Sequence, residues 1–422
     1  MDILCNKPAS AVSDLALLNQ ENDKILKTTN SAKVSCVPYV KIYSNSLFHV
    51  SAMKPTDYSS PIILDIDSGL MKAGFSSEDL PNTIFPTVIG QPKNKEINSC
   101  LMVNVYIGHE AQHTKAVLNL SQPCKHGIVT SWEDLEKIWC YTFYNQLQVD
   151  PGEHPVLLTD TIMSQCKDRK QMLQIMFEKF NVPYLYISLQ AVLALYSTGR
   201  VTGTVFHSGD QVSYCVPVYE THRLQHAVQK FNLAGQDLTS YLAKLLKERD
   251  EFGLDVEEES VRDIKEKLCY VADNFHFEPP SQVLYNLPDG RTVTLGSERY
   301  RTCEALFSPQ LLGKDQYGIH ERVLKSLLLS DVDLRKQFAG NIVLSGGSTL
   351  FPGLTSRLQR EISSMVPLDL LNTVNVSRVL DKDFAVWRGG ATMANLQSFH
   401  TAWISRHDYN EFGPNIVHRR CF

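Results

Sequence analysis

The chain has 422 residues, of which 43% are hydrophobic and 21% charged, a composition typical of a globular protein with two or three domain-sized units. Its net charge of −5 is too small to indicate binding to nucleic acid or to an anionic membrane. We find no secretory leader and no run of about 18 apolar residues, so we expect a cytoplasmic or nuclear protein. The ten cysteines form no pattern for zinc, which predicts reduced thiols.

The first 60 residues differ from the rest of the chain. Residues 1–60 contain no glycine and are rich in Ser and Asn, which predicts a mobile extension. One segment in it, residues 13–27, follows a helical pattern, with Ser13 as a candidate N-cap and apolar positions at Leu15, Leu18, Ile25 and Leu26. Such a helix either docks on a partner, lies on the body of this protein, or frays in solvent.

From residue 61 onward, strand and helix patterns alternate, which is typical of an α/β protein. The segments "PIILDI" (61–66) and "GTVFHS" (203–208) are apolar enough for buried strands. Ser131 and Asp134 form a capping pattern that opens a helix over residues 131–147. A second helix is predicted over residues 259–272, with one apolar face formed by Val261, Ile264, Leu268 and Val271.

A strand, a Ser-Gly turn and a second strand occur twice in the chain. The segment "LDIDSGLMKAGF" (64–75) returns in altered form as "VFHSGDQVSYCVPVYE" (205–220), about 140 residues later. This repeat predicts a duplicated architecture whose halves face one another across a cleft and present turn amides to one bound anion. The acid Asp67 in the first turn is unexpected, because a phosphate would have to come close to it.

A third glycine turn follows an apolar strand and enters a helix. The turn consists of Ser345, Gly346, Gly347 and Ser348, and the helix is marked by Leu354, Leu358 and Ile362. Adjacent glycines let a flat ring or a ribose approach the backbone, but an ordinary strand-to-helix turn has the same pattern. The helix at 259–272 also carries polar groups opposite its apolar face, at Arg262, Lys265 and Glu266. These groups suit ribose hydroxyls, and an ordinary solvated face explains them as well.

From Pro61 to Phe422 the sequence resembles actin and the actin-related proteins. The resemblance is carried in order by "LDIDSGLMKAGF", "HGIVTSWEDLEKIW", "EHPVLLT", "LQAVLALYSTGR", "NLAGQDLT", "VRDIKEKLCYVA", "LPDGRTVTLGSER", "NIVLSGGSTLFPGL" and "VHRRCF". The long extension and the altered cleft make the chain most similar to the sperm-type actin-like proteins. The resemblance implies an α/β actin-like duplicated fold, with four subdomains around a deep cleft that holds ATP or ADP with Mg²⁺ or Ca²⁺.

The resemblance also implies a division of the chain. After the extension of residues 1–60, the first half would comprise residues 61–197 and 385–422, with a smaller subdomain at about 87–122. The second half would comprise residues 198–384, with a smaller subdomain at about 234–314.

The resemblance further implies the residues of a nucleotide site. The first phosphate hairpin would contain Asp65, Ser68, Gly69, Leu70 and Lys72, and the second Ser208, Gly209 and Asp210. The ribose and adenine would be surrounded by Gly235, Asp237, Arg262, Lys265, Glu266, Gly346, Gly347 and Ser348. Gln190 matches the glutamine that positions the attacking water, His126 would lie near the phosphates, and Asp65 and Asp210 would hold the metal through water.

Six positions in this cleft depart from the pattern of the family. Asp67 and Gln211 replace glycines, His207 replaces an acid near the metal, Tyr214 replaces a histidine beside the attacking water, Phe351 replaces a tyrosine and Asp383 a lysine near the adenine. These changes predict weak or absent ATP hydrolysis, because water positioning and ordered charge supply most of the catalysis in such sites. Three alternatives remain for Asp67: it binds a cation, it pairs with His207 in the phosphate position, or it meets neither.

Surfaces that form filaments in the family are altered as well. The loop at residues 91–108 shares little with the family, and Lys314 stands at the apolar tip of the waist segment 309–321. A partner groove at the base is predicted from Tyr196, Gly199, Val201, Thr392, Met393, Leu396 and Ser398. An amphipathic helix suits such a groove, and core packing explains several of its positions equally well.

We therefore expect a structural or scaffolding protein of a cytoskeletal or perinuclear assembly in developing sperm, with protein partners and neither nucleic acid nor membrane insertion. It would lie in the cytoplasm and cytoskeleton, or in or around the nucleus. One alternative is an ATP-regulated protein that polymerises or co-assembles with actin. A second is a sugar kinase or chaperone ATPase of the same duplicated fold, which is disfavoured because no residue can be assigned as a base acting on a sugar hydroxyl.

Overall fold

The computed structural model describes residues 58–93, 105–249, 256–279, 281–379 and 384–421. The predicted helix at 13–27, most of the loop at 91–108 and Asp383 lie outside these residues.

The described chain forms strands and helices in alternation. The strands are β1 (Ile62–Ile66), β2 (Leu70–Phe75), β3 (Thr83–Pro86), β4 (Ile89–Pro92), β5 (Tyr106–Ile107), β6 (Leu118–Ser121), β7 (Cys124–Lys125), β8 (Ile128–Val129), β9 (Val156–Asp160), β10 (Tyr184–Leu189), β11 (Gly203–Ser208), β12 (Ser213–Tyr219), β13 (His222–Arg223), β14 (Gln229–Phe231), β15 (Val283–Asn286), β16 (Thr292–Leu295), β17 (Ile342–Ser345), β18 (Val376–Arg378) and β19 (Ile404–Ser405). The α-helices are α1 (His109–His113), α2 (Trp132–Cys140), α3 (Cys166–Gln174), α4 (Gln190–Tyr196), α5 (Gly235–Arg249), α6 (Glu258–Leu268), α7 (Glu298–Glu304), α8 (Ile319–Leu329), α9 (Val332–Gly340), α10 (Leu354–Met365), α11 (Ala385–Ala394), α12 (Arg406–Phe412) and α13 (Val417–Arg420). Wider helical turns over Tyr141–Leu147 and Ile175–Lys179 continue α2 and α3.

Two large sheets share one pattern of connections. The first has the strand order β19-β10-β9-β1-β2-β3, in which β1, β9 and β10 are parallel and the β1–β2 hairpin is antiparallel. The second has the order β13-β12-β11-β17-β18, in which β11, β17 and β18 are parallel and the β11–β12 hairpin is antiparallel. Each sheet thus combines a hairpin with parallel strands, and the predicted α/β fold is confirmed.

Local signals in the sequence agree with the boundaries of several elements. Strands β1 and β11 are buried along their whole length, in agreement with the apolar segments that predict them. The hydroxyl of Ser131 accepts a hydrogen bond from the backbone N–H of Asp134 at 3.3 Å, so the predicted cap begins α2.

The helix predicted over residues 259–272 is shorter than expected. Helix α6 ends at Leu268, and Cys269 adopts an extended conformation. Val271 is therefore not on the helix, and the prediction that placed it there is wrong. Its backbone N–H donates to the carbonyl of Pro352 at 2.8 Å, a tertiary contact that replaces the helical bond.

Helices α4 and α11 lie between the two sheets. Ala191 and Leu195 of α4 pack in one apolar cluster with strands of the second sheet, whereas Leu193 packs with strands of the first. The two helices approach so closely that a Cβ added to Gly389 would lie 1.7 Å from the carbonyl oxygen of Leu193. This packing places Gln190, the first residue of α4, between the sheets and next to both hairpins.

None of the helices in the described part of the chain is long and apolar enough to cross a membrane. No cysteine among the described residues is in a disulfide.

Candidate functional site

The turns of the two hairpins meet in the space between the sheets. In the first turn, the backbone N–H of Asp67 donates to the carbonyl of Leu70 at 3.0 Å. A Cβ added to Gly69 would lie 3.2 Å from the Cβ of Asp210 in the second turn. We call these two turns, residues 67–70 and 208–211, the cradle.

The carboxylate of Asp67 lies inside the cradle. Its Oδ1 accepts a hydrogen bond from the backbone N–H of Ser68 at 2.8 Å. Its Oδ2 lies 3.0 Å from the position that a Cβ on Gly209 would take. Burial raises the pKa of Asp67, and the positive charge of Lys72 partly opposes that shift. A backbone amide of the first turn is therefore bonded to a carboxyl group of the protein itself.

His207 lies beside Asp67 without pairing with it. The imidazole stacks on the ring of Tyr214 with centroids 4.7 Å apart, and its Nδ1 lies 3.3 Å from the hydroxyl of Ser345. Burial lowers the pKa of His207 to about 4, and Lys72 acts in the same direction, so the ring is neutral at pH 7. No hydrogen bond or ion pair joins Asp67 and His207 among the described contacts of either residue. Of the three alternatives for Asp67, pairing with His207 therefore has no support in these contacts.

A buried network fixes Gln190. Asp65 accepts from the hydroxyl of Thr159 at 2.9 Å and from the Nε2 of Gln190 at 3.3 Å, and its other oxygen lies 3.4 Å from the Nζ of Lys72. The Oε1 of Gln190 accepts from the hydroxyl of Tyr214 at 3.2 Å. Both ends of the Gln190 amide are thus bonded to buried protein groups. Sequence reasoning missed Thr159, although a polar residue at the carboxyl end of the apolar strand β9 was a usable signal.

The two carboxylates predicted to hold a metal have protein partners. Asp65 is bonded as described, and an oxygen of Asp210 lies 3.8 Å from the guanidinium of Arg262. Burial raises the pKa of Asp210, while Arg262 opposes the shift. Within the described ranges, no group of three or more His, Cys, Asp or Glu side chains is arranged to hold a metal ion. The geometry therefore adds no support to the metal prediction.

Three of the predicted ribose-binding positions, Gly235, Lys265 and Ser348, are in contact with one another or with the cradle. The hydroxyl of Ser348 and the backbone N–H of Gly235 donate to the carbonyl of Gly209 at 2.9 Å and 3.0 Å. Lys265 is buried, and its Nζ donates to the carbonyl of Gly235 at 3.0 Å and to the hydroxyl of Thr239 at 2.9 Å. Burial lowers the pKa of Lys265. Lys265 therefore stabilises the start of α5 instead of lying on a solvated face.

Three other charged positions predicted to surround the ribose form ion pairs. Arg262 and Glu266 form an ion pair at 3.0 Å on the exposed side of α6. Asp237 accepts from the Nζ of Lys314 at 2.6 Å. The predicted tip of the waist segment is therefore folded onto the start of α5.

The third glycine turn has a closed and an open side. Gly346 has φ of 88°, and a Cβ there would lie 2.4 Å from the carbonyl oxygen of Ser208, so only glycine fits. A Cβ on Gly347 would meet no atom within 4 Å, and Phe351 is buried. Gly347 is thus exposed with open space beside its backbone, whereas the cradle contains the carboxylate of Asp67.

The residues predicted for a partner groove do not share one environment. Met393 is buried in the core and Tyr196 is half-buried, so core packing accounts for both. Exposed positions are Gly199, Val201, Thr392, Leu396 and Ser398.

A comparison with protein families complements this geometry. A family model described as actin matches residues 56–422, a range that includes both hairpins and the third glycine turn.

Proposed function

The chain belongs to the actin family, and we propose that it is a structural, scaffolding member whose cradle is filled by its own Asp67 carboxylate. The observation that carries this proposal is the hydrogen bond from the Ser68 amide to Asp67 Oδ1 at 2.8 Å. A backbone amide that donates to an internal carboxylate is not available to a phosphate oxygen, and the carboxylate repels that oxygen.

The charge of Asp67 determines how strongly this residue weakens the binding of a polyphosphate. Two unit charges about 4 Å apart interact by ~4 kcal/mol at an effective dielectric constant of about 20. Repulsion of that size lowers affinity for a polyphosphate by about three orders of magnitude. The neighbouring Lys72 pairs with Asp65 at 3.4 Å, and its positive charge offsets part of this repulsion.

The environment of Gln190 supports weak or absent ATP hydrolysis. A glutamine that positions water needs a free amide end that faces the reacting phosphate. In this chain the amide is buried, and it is held by Asp65 on one side and by Tyr214 on the other. The side chain therefore acts as part of the core rather than as a water-positioning group.

The proposed setting is a cytoskeletal, perinuclear or acrosomal assembly of developing spermatids, with cytoskeletal proteins as partners. Its support is the family membership together with the resemblance to the sperm-type members. The segment of residues 1–60 is the part of the chain we propose to select partners. Antibody staining of spermatids and a comparison of proteins recovered with and without residues 1–60 test these points, and unchanged partners would contradict the role of that segment.

A second candidate function is an ATP-regulated member that polymerises or co-assembles with actin. The open space at Gly347 favours it, because a glycine there leaves the backbone accessible to a flat ring or a sugar. It requires that a polyphosphate displace the carboxylate of Asp67.

Isothermal titration with Mg²⁺-ATP separates the two candidates. We expect Asp67→Gly to bind ATP at least about a hundredfold more tightly than the unmodified protein, because the internal anion is removed. Asp79→Gly removes an exposed acid beyond the same hairpin and is the matched control. Tight binding by the unmodified protein, or no gain in Asp67→Gly, would contradict the proposal.

A further inference from the structure

A strained turn lies between the two halves of the cradle. His126 and Gly127 both have positive φ values, 49° and 71°. This conformation is unfavourable for a residue with a Cβ such as His126, so surrounding contacts must hold it.

The turn is bonded to the first hairpin and to the end of strand β9. The backbone N–H of Gly127 donates to the hydroxyl of Ser68 at 3.2 Å, and its carbonyl accepts from the hydroxyl of Thr161 at 2.7 Å. These bonds make the turn part of the first sheet's half of the molecule.

The same turn is bonded to the second hairpin through one residue. The Oε1 of Gln211 accepts from the backbone N–H of His126 at 3.0 Å, and the carbonyl of Gln211 lies 3.3 Å from the Nδ1 of His126. The Nε2 of Gln211 donates to the Oε1 of Gln122 at 3.1 Å. Gln211 is buried, so water competes little for these bonds.

A second bridge crosses between the halves at the surface. The Nζ of Lys115 lies 3.2 Å from a carboxylate oxygen of Glu257 and 3.1 Å from one of Glu259. All three side chains are largely exposed, so solvent screens this bridge and it contributes little. The buried bonds of Gln211 therefore provide the stronger connection.

We infer that Gln211 is an internal latch, formed with Gln122 and the turn of His126 and Gly127, that holds the two halves together without a ligand between them. This inference rests on the proposed function, because a cradle filled by Asp67 needs a connection other than a bound polyphosphate. Gln211 stands where the resemblance to the family expects a glycine, which has no side chain to form the latch.

Hydrogen exchange of the full chain, read at the amides of residues 122–127, tests the latch. We expect Gln211→Met and Gln211→Gly to speed exchange of the His126 amide about tenfold, because each removes its acceptor. Gln122→Ala removes only one bond and should give about a threefold rise. Gln397→Met changes an exposed glutamine outside the latch and is the control.

The amides of β9 and β17 check that the fold is intact, and their exchange should not change. Unchanged exchange at His126 in Gln211→Met would overturn the latch, as would a rise confined to Gln211→Gly, which points to backbone flexibility instead. The outcome is distinct from that of the proposed function. If exchange at His126 is unchanged in Gln211→Met but Asp67→Gly gains affinity for ATP, the latch is wrong and the proposed function is retained. If exchange at His126 rises but Asp67→Gly gains no affinity for ATP, the proposed function is wrong and the latch is retained.

Discussion

The buried imidazole of His207 should make the protein less stable in mild acid. Burial lowers the pKa of His207 from 6.5 to about 4. Between these values the unfolded chain binds more protons than the folded protein, so stability is complete above pH 6.5 and declines as the pH falls toward 4. Integration over this window gives a loss of about 2 kcal/mol between about pH 7.5 and about pH 5, and of about 3 kcal/mol at pH ~4.

Urea unfolding followed by fluorescence of the buried Trp139 and Trp387 measures this loss. In His207→Phe the ring still stacks on Tyr214 but binds no proton, so its loss of unfolding free energy between the two pH values should be smaller by about 2 kcal/mol. His407→Asn replaces a histidine whose side chain is 86% exposed and should match the unmodified protein. Equal losses in the unmodified protein and in His207→Phe would refute the reasoning, because His207 would then not be held neutral by burial.

Three further substitutions test other parts of the site. Burial raises the pKa of Asp67, so ionisation of this carboxyl group opposes folding increasingly as the pH rises above 3.8. Asp67→Asn should therefore raise the melting temperature at pH 7 by a few degrees. A lower melting temperature would count against a desolvated carboxylate. Tyr214→Phe leaves the buried Oε1 of Gln190 without its hydrogen-bond donor and should lower the free energy of unfolding by about 1–2 kcal/mol. An unchanged free energy of unfolding would mean that this hydrogen bond contributes nothing to stability. Lys314→Met removes the ion pair with Asp237, in which both side chains are about one third exposed. The substitution should lower the free energy of unfolding by only about 0.5 kcal/mol and should speed protease cleavage within residues 309–318. Equal cleavage would show that the ion pair does not hold the segment.

Several strands and helices could be predicted because neighbouring residues in the sequence determine where they begin and end. Apolar segments, Ser-Gly turns and the cap at Ser131 are each set by neighbours in sequence, and the structure contains the elements they predict. The end of α6 could not be predicted in this way. It depends on the bond between Val271 and Pro352, which lie far apart in the chain, and the apolar period of the sequence continues past that point.

The facing of the two turns could be predicted from the sequence, but the contacts of their side chains could not. The turn pattern singled out Asp67, and the resemblance to the family added His207 and Gln211 as unusual positions. Whether a carboxylate turns toward its neighbour's amide, a metal or an imidazole depends on side-chain torsions and on residues from the other hairpin. Lys265 illustrates the same limit, because its spacing on α6 suits a solvated face and only the packing of α5 buries it.

The adenine nucleotide content of the native protein tests the central claim most directly. The protein is purified without added nucleotide, desalted and denatured, and the released ATP and ADP are quantified by chromatography. An Asp67 carboxylate bonded to the Ser68 amide predicts far less than one equivalent of nucleotide per chain. Near-equimolar ATP or ADP would show that a polyphosphate displaces Asp67, and it would contradict the account.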